Sequence, residues 1–382
     1  MMDLLAYQSG KYEAQYEYES FAPTLINHTW EISDSEIITL LGEANRALGE
    51  LNAYARLVPD IDFIIRSYIA KEATQSSRIE GTQTNIEDAF KAEADIAPEA
   101  RDDWAEVQNY IRAIHYAVEQ LQSLPFSNRL LRETHNVLME GVRGRNKQPG
   151  AFRQSQNWIG VSLKNAVFIP PHHEQVETLM GDLETFLHSS TINVPPLIRI
   201  AIAHYQFETI HPFLDGNGRL GRLMISLYLA ANDLLEKPVL YLSDYFERNK
   251  TAYIDHMMAV RDGSHMKNWL IFFLHGVVET ARSAIHVSDH ILLMKTRIEQ
   301  EVLPRFGTRR QDNAQTFMRY LYRVPIIDVK STERLLKVTP ATANALIKDF
   351  AEYGVLREVT GNRRNRLYVF DEYLNLFKRK TT

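Results

Sequence analysis

The run Ile210–Leu223, IHPFLDGNGRLGRL, limits its local fold more than any other stretch of the chain. It reads as a glycine turn that opens a helix, GRLGRLMISLYLAAND. Gly216 and Gly218 allow backbone conformations and approaches that a side chain would block. Asn217 between them is placed to cap the helix. The first amides of such a helix lack main-chain partners and sit at the positive end of its dipole, which makes an anion site. Arg219 and Arg222 are three apart and share one face of the first turn. Two guanidinium forks beside a ring of N–H donors suit a polyphosphate better than a lone carboxylate. Asp215 just before the turn is an oxygen ligand for Mg²⁺ among phosphates. His211 has the near-neutral titration expected of a general base. Each piece alone is a common turn, corner or solvated face. Together they describe a nucleotide held by its phosphates beside a base able to deprotonate an attacking hydroxyl.

The surrounding pattern is mainly helical. Residues 1–32 form an arm with little periodicity, and SFAPTLINHTW has the punctuation of extended chain. From Ser33, SDSEIITLLGEANRALGELNAYARL places apolar residues at spacings of three and four, with Ser33 or Asp34 as cap. A second helix covers DIDFIIRSYIAKEATQSSRIEG and stops at Gly81. NIEDAFKAEA, RDDWAEVQNYIRAIHYAVEQL and SNRLLRETHNVLME continue the helical series. GRNKQPGAFRQSQNWIGVSLKNAVFIPPHHE breaks it, and a β-hairpin flap is expected around Trp158–Pro170. Helices resume at EQVETLMGDLETFLHSS and PPLIRIAIAHYQFETIHPF, and two or three more run from Ser243 to about Val302. LPRFGTRRQD reads as a linker.

The tail follows its own plan. NAQTFMRYLYRV, STERLLK and TPATANALIKDFAEYG are three helices, and VLREVTGNRRNRLYVF is a strand, a turn and a strand. That order describes a winged helix-turn-helix. From Arg305 onward sixteen Lys/Arg face eight Asp/Glu, although the whole chain of 382 residues carries a net charge of −5. A basic module on an acidic body points to a polyanion partner for that end. Thr342, Asn344 and Lys348 are placed to face a groove, and Arg363, Arg364 and Arg366 to meet phosphates. Docking of a protein or a second copy of the chain is the competing use of such a unit. The chain has no cysteine, which excludes disulfides and thiolate metal sites and fits a reducing cytoplasm. Its 45% apolar and 24% charged composition is that of an ordinary soluble protein, and WLIFFLHGVV is too short to span a bilayer. No signal peptide, and so no membrane partner, is expected.

HPFLDGNGRLGR resembles the signature of the Fic family, HPFx(D/E)GNGRxxR, at every fixed position. YEYESFAPTLINHTWEI, LNAYARLVPD, KEATQSSRIEGTQ, NWIGVSLKNAVFIPP and YLSDYFERNKTAYIDHMMAVRDG are similar to other Fic segments, in the family's order over residues 15–280. The resemblance implies a helical core with a flap and transfer of AMP from ATP to a Ser, Thr or Tyr hydroxyl of a target protein, including the enzyme itself. It makes His211 the base and Asp215 the Mg²⁺ ligand. It makes Gly216, Asn217 and Gly218 the anion hole, and Arg219 and Arg222 the grip on the β/γ end. Leu220 and Gly221 belong to the same ATP-binding segment. It makes Asn165–Pro171, with Val167 and Phe168, the flap that holds a target strand beside the nucleotide. Tyr253 falls where the family often has an adenine contact, and Arg261 where some members have Asn. The implied organisation is an N-terminal arm and helices over 1–100, a catalytic core over 101–302 and the winged unit over 310–382.

SSRIEG, Ser76–Gly81, matches the family's inhibitory pattern (S/T)xxxE(G/N) at Ser76, Glu80 and Gly81. A plain helix end explains Gly81, but not an acid where the dipole disfavours one. The resemblance implies that Glu80 pairs with Arg222 and fills the space of the γ-phosphate. His204, seven before His211, lacks a third ligand and is expected in the core; His172 and His173 are expected on the flap surface. Removal of AMP, UMP transfer, phosphorylation, or nucleotide sensing by a DNA-binding regulator are the rival activities of such a site.

Overall fold

Asp34 starts the first long helix as expected: its Oδ1 accepts the amides of Glu36 at 3.1 Å and Ile37 at 3.2 Å. The computed structural model describes residues 2–4, 6–57, 61–141 and 147–378. Residues 58–60 of LNAYARLVPD and 142–146 of the segment before the flap lie outside the described residues. Helix α1 is Ser35–Leu57 and α2 is Ile61–Ile79. A short α3, Ile86–Ala89, leads to α4, Arg101–Gln120, and α5, Asn128–Leu138. After the flap come α6, Val176–His188, α7, Pro196–Ile210, and α8, Asn217–Ala231. Then follow α9, Ser243–Arg248, α10, Lys250–Gly263, and α11, Met266–Arg297.

Helix α7 is apolar on nearly every face and buried from Leu197 to Ile210 apart from Arg199, as a central helix must be. It packs between α6 and α8, with α11 against it, while α1 runs along α11. By length and composition alone a stretch of α11 could cross a bilayer, yet half of that window is buried within the protein. Trp269, Leu270, Phe273 and Val277 belong to its core.

The arm is more ordered than its sequence implies. Met2–Asp3 (β1) pairs with Trp30–Glu31 (β4), and Gly10–Ala14 (β2) forms an antiparallel hairpin with Glu19–Pro23 (β3). Its burial does not alternate along either strand, and Tyr12 and Tyr16 stay exposed, so no period of two marks it in sequence. Phe21 donates its amide to the Ile169 carbonyl at 3.0 Å and packs on Phe168. The hairpin thus braces the flap, whose strands are Ile159–Gly160 (β5) and Ala166–Phe168 (β6).

The segment read as a linker also differs. Leu303 and Phe306 are buried in a short 3-10 turn, and α12 starts directly after it at Thr308 and ends at Arg323. The tail continues with Ile326–Ile327 (β7), α13 at Val329–Leu336 and α14 at Pro340–Glu352. Arg357–Glu358 (β8), Tyr368–Val369 (β9) and α15, Asp371–Lys378, complete it. The sheet order is β7–β9–β8. One apolar cluster runs without a break from Leu4 to Phe377, so the tail shares its core with the body.

Candidate active site

The glycine turn joins the end of α7 to the start of α8. His211 caps α7 in the left-handed region, φ 50°, and donates its amide to Phe207 O at 2.9 Å. A non-glycine residue held there is strained and needs an external anchor. Arg153 supplies it. Buried to 2% exposure, its Nε donates to His211 O at 3.0 Å, and its Nη2 to Pro171 O at 2.6 Å and Ile210 O at 3.3 Å. Asn157 Nδ2 adds bonds to His211 O at 3.1 Å and Phe213 O at 2.9 Å. The flap's last residue and His211 are therefore tied to one guanidinium. The imidazole Nδ1 is buried without a partner. Burial, with the charges of Arg261 and Arg153, pulls its pKa down to about 4, against the opposing pull of Glu80. His211 is thus neutral near pH 7 and holds a free lone pair for a proton.

Gly216, φ 75°, is the N-cap of α8. A Cβ there would run into Met139 and His135. The expected Asn217 cap is absent. Its Oδ1 instead accepts the Phe213 amide at 2.8 Å and its Nδ2 donates to Phe213 O at 2.8 Å, which closes the loop. Those bonds leave the open amides of the first helical turn, at Asn217, Gly218 and Arg219, at the positive end of α8. Asp215 Oδ1 accepts the Gly216 amide at 2.6 Å, and its side chain is 46% exposed.

Arg219 and Arg222 diverge. Arg219 is buried and pairs with Glu106 on α4 at 3.2 Å, with Asp215 at 4.0 Å. Arg222 turns to α2: Nε donates to Ser76 Oγ at 2.9 Å, and Nη2 to Ser76 O at 2.9 Å and Glu80 Oε1 at 2.7 Å. A Cβ on Gly218 would collide with both the Glu80 carboxylate and the Arg222 guanidinium, so this pair stands at the mouth of the amide turn. Burial opposes ionisation of Glu80, and the Arg222 charge overrides it, holding Glu80 below the usual carboxylate range. Gly81, φ 109°, turns the chain out of α2, and Lys250 Nζ caps it at Ile79 O, 2.6 Å. An acid at this helix end is tolerated because two cations surround it.

Leu220 is fully buried, and Gly221 lies against Glu208 and Phe207 where a Cβ would clash. Val167 is 65% exposed on the flap, while Phe168 points inward under the Arg261 guanidinium at 3.8 Å from its centroid. Arg261 also donates to Thr209 Oγ1 and Glu208 O, so it fastens flap to α7. Tyr253 is buried, with its hydroxyl 2.9 Å from His204 Nε2. His204 Nδ1 lies 2.9 Å from Gly221 O and must donate to it, so Nε2 accepts from Tyr253. This core chain of bonds supports the floor of α8. His172, His173 and Glu174 bring potential ligand atoms within 4.8 Å of one another beyond the flap.

Three residues escaped the sequence reading. Arg153 is one; its signal was a cation directly after the small and apolar PGAF segment. His135 is the second. It is fully buried, accepts the Gly150 amide at Nδ1 (2.9 Å), contacts Asp215 O through Nε2 (2.9 Å), and stacks on Phe213. Accepting at Nδ1 fixes the proton on Nε2, so His135 holds the Asp215 backbone. Glu208, three before His211, is the third. Its Oε1 is buried without a partner, and burial raises its pKa to about 7.

Comparison with known proteins agrees with this geometry. Residues 38–119 match the Fic/DOC family N-terminal model and residues 125–229 the Fic/DOC family model. Over 83 residues the chain is 36% identical to protein adenylyltransferase fic-1 of Caenorhabditis elegans, a match covering 22% of this chain and 15% of that one. It is 40% identical over 83 residues to protein adenylyltransferase Fic of Drosophila melanogaster, covering 21% and 15%. The chain thus matches only 15% of the length of these relatives. In fold it is similar to a Fic family protein from Desulfovibrio desulfuricans, with a TM-score of 0.57 and 20% identity over 90% of this chain and 98% of that one. Signature, fold and family models converge, and the chain belongs to the Fic family.

Proposed function

We propose that the protein is an adenylyltransferase that moves AMP from ATP to a Ser, Thr or Tyr hydroxyl of a protein, itself among the targets, and that Glu80 restrains it. The observation that carries this reading is the neutral His211 imidazole standing beside the open amides of α8. The target oxygen attacks the α-phosphorus, its proton passes to His211, and the bond to the bridging oxygen breaks with release of pyrophosphate. The turn at Gly216–Gly218 receives phosphate oxygens, and Arg222 receives charge at the leaving end. Asp215 fits Mg²⁺: it is a hard oxygen donor, half exposed, and its Oδ2 has no hydrogen bond among the described residues. When bound there, the ion supplies neutralisation of phosphate charge. The exposed edge of β6 beside Val167 suits a target strand.

In this reading the Glu80 carboxylate stands where the terminal phosphate would meet Arg222. The test is autolabelling with α-labelled ATP and Mg²⁺. Glu80→Gly is expected to label at least about tenfold more than wild type, as loss of a charge-assisted hydrogen bond frees Arg222. His211→Ala in that background is expected to abolish labelling. Label from γ-labelled ATP instead would identify phosphorylation, and labelling unchanged by His211→Ala would remove the base from its role.

A further inference from the structure

The tail carries a surface that the transfer reaction does not use. Its order of α12, β7, α13, α14, β8 and β9 is that of a winged helix-turn-helix. Helix α14 buries Ala343, Leu346, Ile347 and Phe350 and exposes Ala341, Thr342, Asn344, Ala345 and Lys348. From Thr339 to Lys348 it has no carboxylate. The alanines beside Asn344 leave room for close approach, and Asn is a side chain that pairs bidentately with adenine. The wing, residues 359–367, has no acid either. Glu358 at its base is consumed: Oε1 accepts the amides of Thr360 and Gly361, each at 2.8 Å. Arg363, Arg364 and Arg366 are exposed at the wing's tip.

The absence of acids from 339–348 and 359–367, with exposed cations in both runs, gives this face its charge. Several cations of the tail that lie elsewhere have acids: Arg310 pairs with Asp349, Arg357 with Asp371, Lys378 with Glu87, and Arg297 at its border with Glu372. On the α14 and wing face only Lys348 is paired, with Glu352 at 3.5 Å. Among the described residues no ion pair engages Lys337, Arg363, Arg364 or Arg366. A helix of small polar residues flanked by exposed guanidiniums matches a base-edge groove bordered by phosphates.

We infer that this face binds duplex DNA, with the N-terminal half of α14 in the major groove and the wing arginines on backbone phosphates. This rests on the tail alone and stands whether or not the transfer reaction is as proposed. The test is fluorescence anisotropy of the full chain with a labelled mixed-sequence duplex of roughly 30 base pairs, across about 50 to 200 mM salt. Binding is expected, with affinity falling steeply as salt rises. Arg363→Ala with Arg364→Ala is expected to weaken binding and flatten the log–log salt slope by about 2, one for each phosphate no longer neutralised. These side chains are exposed, so the double variant keeps its fold, and unchanged adenylyl labelling serves as the control. Thr342→Ala with Asn344→Ala is expected to keep the slope but lose preference for a duplex selected from a randomised pool. No binding at the lowest salt, or binding and slope indifferent to the two arginines, overturns the inference.

Discussion

At His211, burial and two neighbouring guanidiniums outweigh the one nearby carboxylate, which fixes both the protonation state and the expected pH response. A base must be unprotonated, so activity falls as pH drops through its pKa. With that value about 4, kcat/KM of the Glu80→Gly form is expected to show no His211 loss between pH 8 and 6. A descending limb near the usual 6.5 that His211 alone explains would refute this environment. Glu208 behaves in the opposite sense. Its carboxyl rises to about 7, burial being the main cause. The folded state then holds a proton that the unfolded chain has already lost, so stability declines as pH rises from about 4.5 to 7 and is level above. Glu208→Gln removes that decline. Relative to wild type, the variant should gain up to about 3 kcal/mol between pH 5 and 8 in denaturant unfolding. A difference independent of pH would mean that Glu208 is not the group held protonated.

At the scale of elements, most helices were legible because they bury one stripe, and capping residues such as Asp34, Ser127 and Thr339 sit where their oxygens meet helix amides. The loop motif was legible because Gly216 and Gly218 have no room for a side chain. The β2–β3 hairpin was not, since its covered face answers to the flap, a partner about 150 residues away in sequence. Nor was the divergence of Arg219 from Arg222: spacing places two residues on a helix face, while Glu106 and Glu80, on different helices, decide where each guanidinium goes. Arg153 shows the same limit, because its acceptors are the carbonyls of Ile210, His211 and Pro171, and no acid marks them in sequence. Arg153→Lys keeps the charge but loses the fork. It should lower kcat in labelling by about tenfold or more through a displaced base and flap, with the Kd for ATP little changed. An equal loss in ATP binding would instead place Arg153 in the nucleotide site.

Across the whole molecule, α2 links the C-terminal tail to the catalytic body. Its Glu72 takes hydrogen bonds from Tyr110 at 2.9 Å and Ser243 at 2.6 Å, and its last turn presents Glu80 to Arg222. The opposite side of α2 is covered by the tail. Tyr373 and Ser67 share a hydroxyl bond of 3.0 Å, Phe377 meets Tyr68 edge-on at 5.2 Å, and Lys378 pairs with Glu87 just beyond α2. Phe377 is 2% exposed, so its truncation opens a cavity directly under the helix that carries Glu80. The local cost of about 3 kcal/mol or more is a large share of the stability of any one region. Phe377→Ala should therefore loosen α2 before it unfolds the body, and raise autolabelling while Glu80 is present. In a Glu80→Gly background the same substitution should add nothing if the proposed restraint by Glu80 is what it relieves. Tyr373→Phe, which only strips one hydroxyl, should act in the same direction with a smaller step, on the order of 1 kcal/mol. If Phe377→Ala changes labelling by the same factor in both backgrounds, the tail is merely packed against α2, and restraint of Glu80 is set within the catalytic body alone.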